Sequence, residues 1–135
     1  MSPFSVRCFK EGSPVPVYAF FILSKGRNTG CPSFTPCPNC FVFACENKAE
    51  LQFYYWLVYS LWAAGKFHPY LCGSVIEFIH LRDVKNLIAS AVEKVRDMEK
   101  VARSMQQIIE LEAHLNRQFQ LVKEAKRAVL HSLMG

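Results

Sequence analysis

From Ser74 to Met134 the chain contains neither proline nor glycine. All seven prolines lie at or before Pro69, and every glycine except the terminal Gly135 lies at or before Gly73. These two residue types are the strongest local interrupters of regular structure. The chain therefore divides into a punctuated, aromatic first half and a second half that reads as helix.

The second half carries two apolar stripes. Ile88, Val95, Ala102 and Ile109 recur every seven residues, with Ala91, Met98 and Met105 between them. Val101, Ile108, Leu115, Val122 and Val129 also step by seven, and Leu111 and Ala125 fill their intermediate positions. Sevenfold spacing is the pattern of a coiled-coil seam. Ser104, Gln118 and Ser132 interrupt it. Asp83 is the expected N-cap.

A helix of about 50 residues would extend about 75 Å. A globule of about 80 residues is only about 25–30 Å across. Either the helix folds back, with His114–Gln118 as the candidate turn, or a second chain covers it. We favour a homodimer, with the first stripe against the globule and Ile108, Leu111, Leu115, Val122 and Val129 against the partner.

The first half reads as strands around one aromatic helix. The apolar run Val15–Ser24 and the segment Cys40–Cys45 predict strands. Lys25–Pro38 predicts a loop. Asn47 is placed to cap a helix reaching Ala64, with Glu50 as the reaching-back partner of a capping box and Gly65 as the stop. Ser74–His80 reads as a further strand. The expected class is α+β: a small mixed sheet with one buried aromatic helix, then a long C-terminal helix forming a coiled coil or helical hairpin. The expected division is a recognition-like globule over residues 1–81 and a helical dimerisation segment over 82–135.

The chain has 135 residues, of which 51% are hydrophobic, enough for a core. Its formal charge of +5 permits an acidic partner without requiring one. The longest apolar run, Phe53–Ala64, is shorter than the roughly 20 residues of a membrane helix. Residues 1–10 lack the pattern of a secretory signal. A cytoplasmic setting with six reduced cysteines, and no membrane association, is the resulting expectation.

Five features could carry chemistry. The stretch Lys25-Gly26-Arg27-Asn28-Thr29-Gly30 combines cations, small polar side chains and glycines that let backbone approach a phosphate. It lacks the spacing of a P-loop. Lys66-Phe67-His68-Pro69-Tyr70 interleaves basic and aromatic groups, which suits phosphate and base contacts. Cys37 and Cys40 could orient two thiolates on zinc, with Cys31 and Cys45 as the remaining candidates. Cys40 and Cys45, however, should face opposite sides of a strand, so no cofactor is implied and structural thiols are the expected reading. The aromatics of Gln52–Trp62 read as core and interface. His80, His114 and His131 have no neighbouring nucleophile or acid pair suggesting catalysis, so a non-enzymatic role is expected.

Two resemblances add to this. "FILSKGRNTGCPSFTPCPNCFVF", "FYYWLVYSLW" and "GKFHPYLCGSVIEFIHLRDVKNL" resemble an uncharacterised family of small bacterial mobile-element proteins, a domain of unknown function. More distantly, the order of strand, basic glycine loop, strand, aromatic helix and "GSVIEFIHLRDVKNL" resembles a target-recognition domain of type I restriction specificity subunits. The tail "QIIELEAHLNRQFQLVKEAKRAVLHSLMG" is similar to their paired spacer helices. The second resemblance implies a DNA-binding homodimer, with Lys25, Arg27, Asn28, Lys66 and His68 facing DNA. The alternative is a protein-interaction or anti-restriction module of a mobile element, whose partner comes from that element or a restriction-modification system.

Overall fold

Two runs of apolar residues, "AFFIL" and "CFVFA", form the centre of the sheet. They are buried on both faces, which is why they read as continuous apolar runs rather than alternating ones. The computed structural model describes residues 4–95 and 97–135, without the side chains of Met98 and Glu99. The first three residues of the expected globule and the stripe position Met98 thus lie outside the described set. The strands are β1 (Ser5–Cys8), β2 (Ala19–Leu23), β3 (Pro32–Ser33) and β4 (Cys40–Ala44), and the helices are α1 (Lys48–Ala63), α2 (Leu81–Lys94) and α3 (Met98–Met134). A short 3-10 turn, His68–Tyr70, follows α1.

The α+β class holds, but the sheet is antiparallel throughout rather than mixed, in the order β1-β4-β2-β3. Register sorts the side chains. Phe20 pairs with Phe43 and Ile22 with Phe41 on one face, while Phe21 pairs with Val42 and Leu23 with Cys40 on the other. The first set joins Phe53, Tyr54, Leu57 and Val58 of α1 and Val84 and Ile88 of α2 in the main core. Phe20 and Phe43 stack at 4.7 Å. Phe21, Cys40 and Val42 form a smaller cluster with Phe9, Ala19 and Cys37.

Helix α1 begins as its sequence predicts. Asn47 Oδ1 accepts from the Glu50 N–H at 2.9 Å. The return bond is shifted by one residue from the expected capping box: Glu50 Oε2 accepts from the N–H of Glu46, at 3.3 Å, and not from that of Asn47. Ala64 is the C-cap, and Gly65 follows at positive φ.

Three expectations about the rest are corrected. Ser74–His80 forms no extended strand. Cys72 and Phe78 exchange backbone bonds with each other, closing a tight bend whose remaining bonds run from Gly26 N–H to Glu77 and from Ile79 N–H to Ser24. Its backbone partners are thus local or in the Lys25 loop, not a sheet edge. Asp83 is not an N-cap: the His80 carbonyl already accepts from Asp83 and Val84, so α2 starts earlier and Asp83 sits in its first turn. A carboxylate there suits the helix dipole.

The helical half is also interrupted, without glycine or proline. Val95 adopts an extended conformation, with ψ 117°. Asp97 then caps the next helix, Oδ1 accepting from the Lys100 N–H at 3.0 Å. The predicted turn at His114–Gln118 is instead continuous helix, and the two side chains bond across one turn at 3.1 Å.

The chain divides into two compact units, one ending at Val101 and one spanning Ala102–Gly135. In the first, Ile88 is buried in the main core and Ala91 and Val95 pack against it, as the first stripe predicts; Val92, which is in neither stripe, and Val101, the head of the second stripe, pack there too. In the second, every side chain from Leu111 onward is exposed. Among the described residues no helix is long and apolar enough to cross a membrane.

Candidate functional site

The loop after β2 and the connector after α1 are about forty residues apart in sequence, and they meet in space. Gly30 makes this possible. It sits at φ +96°, and a Cβ there would lie 2.4 Å from the Phe67 ring. Only glycine supplies both the backbone conformation and the clearance. Phe67 is buried, 2% exposed, and anchors the connector in the main core. The Thr29 hydroxyl donates to the Gly26 carbonyl and closes the loop on itself.

The two segments form one cavity of about 260 Å³, lined by Arg27, Asn28, Thr29, Trp62, Gly65, Phe67 and His68, with Ala63 and Leu71 completing the wall. No carboxylate among the described residues lines it. Small-molecule pockets usually span about 300–1,000 Å³. The cavity therefore suits one group of a longer ligand better than a complete small molecule. Its donors are a guanidinium, an amide and an imidazole above an apolar floor.

Arg27, Asn28 and His68 are thus brought together, while Lys25 and Lys66 stand outside the wall. Lys66 is exposed beside it in sequence, and Lys25 forms a backbone bridge with Phe78. Arg27 also borders a second depression, with Gly26, Val75, Ile76 and Glu77.

The aromatic helix is only half core. Phe53 and Tyr54 point inward. Tyr55, Trp56, Tyr59 and Trp62 form a second row, each in contact with the next, at centroid distances of 4.9, 5.6 and 5.7 Å. Tyr55 and Trp62 are half-buried and also touch the main core, Tyr55 edge-on to Phe20 at 5.4 Å. Phe34 continues the run, stacked on Tyr55 at 4.3 Å and 9°. Burial, then nearby Cys31 and Tyr59, push the Tyr55 hydroxyl up and keep it neutral. Trp62 ends the strip as a wall of the cavity. Sequence reasoning missed this strip by treating the aromatics as one set, although Tyr55, Tyr59 and Trp62 share one helical face by their spacing.

The cysteines separate. Cys40 lies in the smaller cluster and Cys45 against the main core, on opposite sides of the sheet as their spacing predicts. The Cys40 thiol donates to the Cys37 carbonyl at 3.1 Å. Burial pushes the Cys40 thiol up to about 11, and burial followed by the Glu50 carboxylate does the same for Cys45. Among the described residues no three His, Cys, Asp or Glu side chains are grouped to hold a metal ion.

On α3, Ile108, Leu111, Leu115, Val122 and Val129 are all more than half exposed, at 52–60%. Val122 and Val129 border a shallow groove with Ala125, Lys126 and Leu130.

These features define a small α+β protein, with two helices on one face of an antiparallel sheet and a basic, aromatic-edged cavity, followed by a long helix. The chain belongs to DUF6943, a family of unknown function, which it matches over residues 6–132. No curated protein and no solved structure matches it.

Proposed function

We propose that the protein binds DNA without catalysing a reaction on it, and that it dimerises through α3. The observation that carries the proposal is the convergence of Arg27, Asn28 and His68 on one cavity free of carboxylates among the described residues. Phosphate contacts need such donors, supplied by basic and amide side chains beside approachable backbone. Exposed Lys25 and Lys66 flank the same segments. The net charge of +5 favours a polyanion. The resemblance to restriction target-recognition domains and their spacer helices supports both halves of the proposal.

Fluorescence anisotropy with labelled oligonucleotides, single-stranded and duplex, tests it. Binding should weaken with salt, with a log–log slope of about −2 to −3 if Lys25, Arg27 and Lys66 each neutralise a phosphate. Arg27→Gln should reduce the slope by about 1. No retention of either form at low salt would refute DNA binding.

The exposed stripe on α3 also supports a second reading, an interaction module that captures a partner helix from a mobile-element or restriction system. A protein that is monomeric in sedimentation and retains no DNA would favour it.

A further inference from the structure

We infer that the ring strip Phe34–Tyr55–Trp56–Tyr59–Trp62 is a stacking platform for unpaired bases, so that the preferred ligand is single-stranded nucleic acid. This rests on the DNA-binding reading and specifies the form of the ligand.

The strip is continuous and partly open to solvent. Neighbouring rings touch along its whole length. Phe34 is 58% and Tyr59 36% exposed, and the other three are half-buried. Tyr55 and Trp62 are held from behind by the main core, which fixes the row, while Phe34 and Tyr59 keep surface open to solvent. From Tyr55 to Trp62 the helix rises about 10 Å, room for about three stacked nucleotides.

The cavity at the Trp62 end gives the strip its occupant. A base stacked on an aromatic ring leaves its phosphate at the side of the stack, and Arg27, Asn28 and His68 stand where the strip ends. Aromatic faces beside a cationic groove are the means by which single strands are bound without sequence preference. A duplex hides its base faces and could use only the cationic end. A neutral apolar partner would use the rings and leave the guanidinium unmatched.

The chain provides its own probe, because its only two tryptophans, Trp56 and Trp62, both lie in the strip. Titration of the full chain with oligo(dT) at low salt should quench tryptophan emission, and oligo(dT) should bind more tightly than a hairpin duplex of equal phosphate number. Phe34→Ala and Tyr59→Ala should each weaken oligo(dT) binding by about tenfold or more. Their salt slope should remain that of the unmodified chain, and Tyr59→Trp should restore affinity. Circular dichroism and urea midpoints near those of the parent would confirm that these exposed positions leave the fold intact.

Tighter duplex binding, or oligo(dT) binding that is unchanged in both alanine variants, would overturn the platform while leaving DNA binding standing. Failure of both oligo(dT) and duplex to bind would overturn both. Heparin binding without quenching, together with oligo(dT) binding without quenching, would identify a charge-only surface and also overturn the platform.

Discussion

Replacing Gly30 with alanine tests the contact that joins the two halves of the cavity. Two costs combine. A non-glycine residue at φ +96° occupies a sparsely allowed backbone region, at about 1–3 kcal/mol. The added Cβ would also press on the Phe67 ring at 2.4 Å, and that ring is buried and cannot swing away. Overpacking of this kind costs about 1–3 kcal/mol. Together they remove about 2–6 kcal/mol, a large share of the roughly 5–15 kcal/mol typical of a domain. With a urea m-value of about 1.5 kcal/mol/M, the midpoint should fall by about 1–4 M. Gly26 supplies the control, since it has φ +100° and a Cβ added there would meet nothing within 4 Å. Gly26→Ala should therefore show the backbone cost alone. Phe67→Leu, which shortens the ring side chain, should recover part of the loss in the Gly30→Ala background, giving a non-additive cycle. Equal midpoints for Gly26→Ala and Gly30→Ala, with additive behaviour of the Phe67→Leu pair, would refute the close contact.

Other consequences can be measured directly. Asn47→Ala removes the acceptor for the Glu50 N–H and should destabilise the domain by about 1 kcal/mol in the same urea assay. Cys40 and Cys45, with thiols pushed up to about 11, should alkylate at pH 8 at least about tenfold more slowly than exposed Cys8, as read by peptide mass spectrometry. The same two thiols bind protons more tightly when folded than the ordinary value of 9.0. Their contribution to stability is full below about pH 9 and is lost as the pH rises towards about 11, so the urea midpoint should fall across that window. Val122→Glu places a charge in the α3 groove and should weaken self-association by about tenfold or more in sedimentation equilibrium, with the circular dichroism of the first unit unchanged.

Local signals in the sequence located the middle of the fold. The runs that became β2 and β4 were apolar and bounded by turn residues, and α1 had an N-cap and a glycine stop. Strand β1, "SVRC", has only four residues with one buried, and β3 has two, so neither carries a pattern long enough to read. Their partners in β4 and β2 define them. The interruption after Val95 was written as Asp97, a residue able to cap, but the sevenfold apolar repeat ran through it and masked the signal. For the candidate site, the basic and aromatic character of each segment was legible. Their meeting was not, because it depends on Gly30 packing against Phe67 across the fold. The strip on α1 was hidden for another reason: its rings were read as one set, although the spacing of Tyr55, Tyr59 and Trp62 already placed them on one helical face.

The sheet's two edges differ in a way that bears on polymerisation. Beyond β3 an incoming strand would find at most two residues, and Pro32 has no N–H to offer. That edge cannot template a ladder. Beyond β1 only Ser5–Cys8 is available, about 13 Å of backbone, with Arg7 exposed and bound through its guanidinium to the Pro14 carbonyl. A strand added there would be short and would meet a positive charge. Edge-to-edge fibre growth is therefore closed on one side and poorly supported on the other, although both central strands have the aromatic, β-favouring composition of aggregating peptides.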